Sequence, residues 1–285
     1  MSTMTHRERV VTTLNHEEPD RVPLDLGGIS TASTMNATAY ANLMRYLGQE
    51  KAEVEVHFRN LTAVPGEPLL RRFDIDTRPI DLAKPQTAAE DVIDDHTFRD
   101  EWGVVWTRPA HGHYIAREGP FQTKPFTLRD LDRYPWPAPG DPARFKGVRA
   151  KAQQLRQDTD FALVLNLGCN IVLQCQSLRG FGEWMEDLLV DPALAEGLME
   201  HVLHVSAGIA SLALEDVGNL VDVVLIADDL GFQDRPYMRP ELYRRKIKPY
   251  QRRLVETVKS KTDARVLLHS DGAIFALIPD LIDIG

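Results

Sequence analysis

Three short apolar segments, evenly interleaved with helical stretches, constrain this chain most. Phe161–Leu167, Val221–Ala227 and Ala264–His269 are rich in Val, Leu and Ile along their whole length. Each follows a segment with helical periodicity, over about 141–157, 182–216 and 240–260, and a last helix is predicted over about 273–283. Strands that are apolar on both faces and separated by helices are the parallel, doubly covered strands of an α/β protein. A doubly wound sheet calls for a glycine-rich phosphate loop after its first strand, and no GxGxxG is present. A (β/α)8 barrel instead places polar and acidic side chains at the C-terminal ends of its strands. Asp25, Asn166, Asp228-Asp229 and His269-Ser270-Asp271 stand at such ends. The barrel is the expected fold.

The N-terminal half fits less regularly. Thr5 and Glu8 form a capping-box pattern for a first helix with Val10, Val11 and Leu14 on its apolar face, ended by Pro19-Asp20. Arg21–Leu26 reads as a first strand, residues 36–47 as a helix and Asp76–Leu82 as a buried strand. Residues 96–126 read as a small β-hairpin insertion, with Trp102–Trp106 and His113–Ala116 as its arms. About five barrel strands result where eight close a barrel. The expectation is a single domain over 1–285 that is C-terminally truncated, with an open side flanked by residues 264–284.

Composition excludes several classes of function. The formal net charge of −9 opposes binding to duplex nucleic acid, which requires a basic face. No uninterrupted apolar run approaches the ~18 residues of a bilayer span, and the first residues lack an apolar signal core, so a cytoplasmic location is expected. Two cysteines six apart, Cys169 and Cys175, are neither a disulfide framework nor a CxxC knuckle.

Two clusters carry the candidate chemistry. In Asp228-Asp229-Leu-Gly-Phe-Gln233, successive side chains of a strand alternate in direction, so one aspartate enters the barrel mouth and the other caps a neighbouring loop. His269 and Asp271 are two apart and face the same way on an extended backbone, which suits a metal or an oriented acid–base pair. Ser270 or Asp271 also suits the cap of the next helix. His111 and His113 alternate in the insertion and read as solvated loop residues. The basic run Arg239–Arg253 reads as a solvated helix face.

These pieces resemble a known family. Thr5–Val10, Leu14–Pro23, Phe73–Arg78, Val221–Gln233, His269–Gly272 and Leu277–Gly285 are similar, in that order, to the uroporphyrinogen decarboxylase superfamily. The resemblance implies a (β/α)8 barrel, and an activity that is either tetrapyrrole decarboxylation or zinc-dependent methyl transfer to or from a corrinoid. In the decarboxylases an arginine-rich stretch follows the first strand. Here Gly28 and Ala32 stand where those arginines belong, Asp25 replaces a tryptophan, and Gln176 and Arg179 stand for a functional tyrosine and glutamate. The methyltransferase branch carries an HxC zinc pair, which His269 and Asp271 match with aspartate in place of cysteine. The resemblance therefore implies a methyltransferase with catalytic Asp228, Asp229 and His269. Substrate-binding roles fall to Asp25, Asn166, Gln176, Gln233 and Ser270, and a metal, zinc in the family's manner, falls to His269 and Asp271. The corrinoid would be a substrate or ride on a partner protein. A decarboxylase, and a non-catalytic corrinoid- or tetrapyrrole-binding module, are the alternatives.

Overall fold

The computed structural model describes residues 3–49, 54–85, 91–110, 112–122 and 125–285. Helix α1 (His6–Leu14) begins on the expected capping box: Glu8 N–H donates to Thr5 Oγ1 (3.2 Å) and Thr5 N–H to Glu8 Oε2 (2.9 Å). It ends at Leu14 rather than at Pro19, because His16 takes a left-handed conformation (φ 62°). The predicted first strand, Arg21–Leu26, is not one. Leu24 O accepts from Asp76 N–H, but Leu24 N–H donates to the Asp76 carboxylate (2.7 Å), which takes the place of a ladder carbonyl. Helix α2 (Ala37–Tyr46), the short pair β1 (Val56–His57) and β2 (Thr62–Ala63), helix α3 (Glu67–Arg72) and strand β3 (Thr77–Asp81) complete this half.

The insertion is larger than a hairpin. Strands β4 (Asp91–Asp94), β5 (Thr97–Arg99), β6 (Val105–Thr107) and β7 (Ile115–Glu118) form an antiparallel meander in chain order. The predicted arms correspond to β6 and β7. The preceding pair was hidden because Asp91–Asp94 is exposed throughout and has no apolar face to read. Phe98, Trp106 and Tyr114 bury the sheet's inner side. His111 lies outside the described residues.

Helices α4 (Leu128–Arg133) and α5 (Val148–Asp158) lead to β8 (Ala162–Asn166). Then come α6 (Val172–Arg179), α7 (Phe181–Val190) and α8 (Pro192–Val217), strand β9 (Val223–Ala227), α9 (Pro240–Lys246), α10 (Lys248–Lys259), strand β10 (Arg265–His269) and α11 (Ile278–Asp283). The parallel sheet runs β10-β9-β8-β3. Alternate residues divide its faces. Leu163, Leu165, Val224 and Ile226 join the main core with α8 residues such as Val202, Val205 and Ile209. Val164, Val223 and Leu225 pack on the other face with Leu267, Ile29 and Leu14 of α1. Helices thus cover the outer face, and α1 sits against the inner one, an arrangement of barrel type.

Among the described residues the four strands do not close a ring, and β3 and β10 are edges. On the β10 side the strand is only half-buried, and Phe275 and Ile282 are 86% and 73% exposed. Helix α8 is the one described helix long and apolar enough to cross a bilayer, which the count of apolar runs missed. Its apolar residues line the main core, as in a core helix. The basic run is not merely solvated, since Arg244 and Lys248 hold the buried Asp280 at 2.9 and 2.8 Å, tying α9 and α10 to α11.

Candidate active site at the strand ends

Three of the four strands end on the inner face in a polar side chain. Asp81 closes β3, Asn166 closes β8, Ala227 closes β9 and His269 closes β10. Register pairs Asp81 with Asn166 and Ala227 with His269. Asn166 Nδ2 donates to Asp81 Oδ1 (3.0 Å) and to Gly28 O (3.2 Å), and Asn166 Oδ1 is buried with no hydrogen-bond partner. Asp81, Asn166 and Ala227 line a cavity of about 770 Å³, with His57, Lys84 and Lys151 on its other walls, and His269 stands beyond it on the next strand.

Beyond Ala227 the chain places its two aspartates on opposite sides, as the alternation of a strand requires. Asp228 is buried on the helix side. Its Oδ1 accepts from Ile171 N–H (3.0 Å) and Leu173 N–H (3.1 Å), and its Oδ2 from Gln251 Nε2 (2.8 Å). Gln251 Oε1 in turn accepts from the Tyr243 hydroxyl (2.7 Å). Asp228 therefore caps the start of α6 and anchors α10 rather than facing the cluster at His269. Burial pushes its carboxyl up to about 6, against the pull of Gln251 and the α6 amides.

That shift carries a sign. The folded protein holds the Asp228 proton more tightly than the unfolded chain does, so Asp228 costs nothing below the unfolded pKa of about 4. The cost grows as pH rises through 6, to on the order of 3 kcal/mol at neutral pH. Relative to Asp228→Asn, which cannot titrate, the wild-type protein is expected to lose about that much stability between pH 4 and 7. Parallel denaturant melts across that range check this, and parallel pH profiles for the two proteins would rule it out.

Asp229 faces the other way. His269 Nε2 lies 3.9 Å from Asp229 Oδ1 and 3.6 Å from Asp271 Oδ1, and one ligand atom from each of the three residues lies within 4.8 Å of the others. Backbone contacts fix this convergence. Asp228 N–H donates to His269 O (2.9 Å), Asp271 N–H to Asp229 Oδ1 (2.9 Å), and Leu230 N–H to Ser270 Oγ (3.0 Å). Gly272 (φ 86°) lies so close to Gly231 that an added Cβ would overlap the Gly231 carbonyl. Only glycine lets the two post-strand loops approach this closely.

The remaining expected residues divide. Ser270 braces the loop through Leu230, as described. Asp25 accepts from Gly28 N–H (3.0 Å) and from the Thr77 hydroxyl, holding its own turn, and an added Cβ at Gly28 would collide with both side chains. Gln176 is buried on α6, lining a separate crevice, and Gln233 is exposed. Two residues escaped the sequence reading. Asp81 sits at a strand end, and the rule that selected Asn166 selects it equally. Tyr237 lies near the cluster: burial, reinforced by the Asp229 and Asp271 carboxylates, holds its hydroxyl above the usual phenol range. Its ring packs against Phe232 (4.7 Å between centroids) and Phe181 (5.2 Å). Both cysteines are buried, and burial pushes their thiols up, so neither is a nucleophile.

Fold and site together define an α/β protein of barrel type with an acid–imidazole cluster at the C-terminal strand ends. The family model for uroporphyrinogen decarboxylase (URO-D) matches residues 112–285, more than half of the chain, and the chain belongs to that family. Among solved structures, a methyltransferase from Methanosarcina mazei is similar at 18% identity and a TM-score of 0.64, the match covering 99% of this chain and 74% of that one. At that identity the likeness concerns the fold. A search of curated protein sequences found no match.

Proposed function

We propose that this chain is a cytoplasmic, metal-assisted methyltransferase that moves a methyl group between a corrinoid and a small molecule. The observation that carries the reading is the convergence of Asp229, His269 and Asp271 at the end of two neighbouring parallel strands. The donor set fits a divalent cation. Two ligands each about 2.1 Å from one ion stand roughly 3–3.5 Å apart, so separations of 3.6 and 3.9 Å need only a small contraction. Three protein ligands leave positions open, the pattern of a reactive rather than a structural site. Two carboxylates and one imidazole are harder donors than a thiolate-rich set, which suits zinc and also manganese or iron. When bound, the ion supplies Lewis acidity at its open positions.

The chain's own groups do the rest. His269 and the two aspartates hold the ion. Asp81, oriented by Asn166, positions a donor group of the substrate inside the cavity. Tyr237 keeps its proton beside the carboxylates and can hydrogen-bond an incoming oxygen or sulfur. The corrinoid arrives free or on a partner protein. The similar Methanosarcina mazei structure is a methyltransferase, so the fold is compatible with this branch. Protein treated with chelator and reloaded with zinc, manganese or iron(II) is mixed with methylcobalamin and small thiols, and demethylation is followed by absorbance. The expected result is turnover that chelation removes and a metal restores. Equal rates in chelated and loaded protein would sink the reading.

Asp81 favours a second reading, decarboxylation, because a carboxylate fixed in a cavity can stabilise a protonated ring intermediate. Its test substrate within the family is uroporphyrinogen. At Gly28, where the family resemblance places an arginine, the space is filled by Asp25 and Thr77. No coproporphyrinogen is expected from purified protein incubated with uroporphyrinogen, as read by chromatography.

A further inference from the structure

A second crevice, of about 460 Å³, lies apart from the strand-end cavity, between the insertion and the α6–α7 corner. One face of α6 forms its floor, with Leu173, Gln176, Ser177 and Gly180 following one another at helical spacing. Strand β7 contributes Glu118, and the first turn of α7 contributes Phe181 and Glu183. The corner is rigid. Phe121 N–H donates to Leu178 O (3.1 Å), and a Cβ at Gly119 would overlap the carbonyls of Ser177 and Leu178. At Gly180 a Cβ would overlap Glu183 Oε2 and press on the Gln122 amide (3.1 Å), so the absent side chain lets a carboxylate and an amide close over one spot.

Three features of this crevice define a ligand. Among the described residues its lining includes two carboxylates and no lysine or arginine, so it favours a positive charge. Phe181 offers an aromatic ring beside those carboxylates, which suits an alkylated ammonium group. Gln176 is only 8% exposed, yet its Nε2 has no hydrogen-bond partner, a deficit that a ligand oxygen would relieve. The start of α7 has no side-chain cap either, leaving backbone N–H donors at the same end.

We propose that this crevice binds a small organic cation that also carries an oxygen acceptor: an alkylated ammonium with a hydroxyl or carboxylate. Glu183 and Glu118 neutralise the ammonium, Phe181 stacks against it, and Gln176 donates to the oxygen. Phe181 also packs on Phe232 and Tyr237, which leave β9 beside Asp229. Occupancy of the crevice is thereby read by the loop of the strand-end site.

Calorimetric titration of the full chain with choline, tetramethylammonium and the neutral isostere 3,3-dimethylbutan-1-ol tests this without any assay of turnover. Choline is expected to bind saturably, and the isostere at least about tenfold more weakly, since one lost charge contact is worth about that factor. Glu183→Gln should weaken both cations by about tenfold, whereas Gln176→Leu should weaken choline and spare tetramethylammonium. Thermal melts confirm that each variant is folded. Absence of choline binding, equal binding of the isostere, or a Gln176→Leu variant that leaves choline unaffected would overturn the proposal. None of these outcomes bears on the metal reading, because no residue of the crevice belongs to the Asp229–His269–Asp271 cluster.

Discussion

Replacing His269 with alanine is expected to lower the affinity for a divalent metal by about 100-fold or more while leaving the protein folded. A site with three protein ligands loses a third of its donor set and its only nitrogen. Stability should fall by less than about 1 kcal/mol, because the His269 side chain is a third exposed, at the end of an edge strand. Asp229 is a sharper case, since its Oδ1 also accepts the Asp271 N–H. Asp229→Asn keeps that acceptor and loses the charge, whereas Asp229→Ala loses both. Metal affinity is expected to drop in each, and the alanine variant should also loosen the loop that presents Asp271. Cobalt(II) absorption titrations alongside thermal melts separate binding from folding. A His269→Ala protein that binds cobalt as the wild type does would remove the cluster from the site.

The parts of this architecture that were legible in the sequence are those where local chemistry and tertiary environment agree. Strands β8 and β9 are apolar along their length because both faces meet protein or a cavity, and Asn166 at the end of β8, Asp228-Asp229 just past β9 and His269 at the end of β10 mark the strand ends. Alternation alone separates the roles of Asp228 and Asp229. What stayed hidden depends on partners distant in the chain. Arg21–Leu26 has the composition of a strand, but the Asp76 side chain occupies its hydrogen-bonding edge, and nothing local announces that. Asp91–Asp94 is a strand without an apolar face, paired only through its neighbours. The long helical region expected over 182–216 breaks at Asp191-Pro192, where Asp191 caps α8, and the helix expected over 240–260 breaks before Pro249. Both prolines were visible signals, since proline favours the first turn of a helix. Helix α6 is the clearest omission. Its start is capped by Asp228 from 55 residues away in sequence, so no cap stands beside it to be read.

Removing Asp76 is expected to be the most damaging single change to stability described here. Its carboxylate is fully buried and accepts four hydrogen bonds: from Arg9 Nη1 (2.6 Å), Arg21 Nη1 (2.7 Å) and Nη2 (3.1 Å), and Leu24 N–H (2.7 Å). Arg9 is itself buried and also holds Asp20 (2.6 Å). Asp76 thus fastens α1, and the extended segment after it, to the start of β3. Asp76→Ala leaves the Arg9 guanidinium short of one counter-charge and Leu24 N–H without an acceptor, at a cost of about 3–5 kcal/mol. That is a large share of a typical domain's stability, and a drop in melting temperature of ~10 °C or more should follow. Asp76→Asn keeps an acceptor for Leu24 and loses the charge, so an intermediate loss is expected. The consequence extends to the site, because Leu14 of α1 and Ile29 pack on the inner face of β8 and β9. Loosening α1 opens the base of the strands whose far ends carry Asn166 and Asp229. Hydrogen exchange should therefore show faster opening of Val164 and Val223 in Asp76→Ala than in wild type. A variant that melts within about 1 °C of the wild type would mean that the buried arginine finds another partner and that Asp76 does not hold this end of the fold.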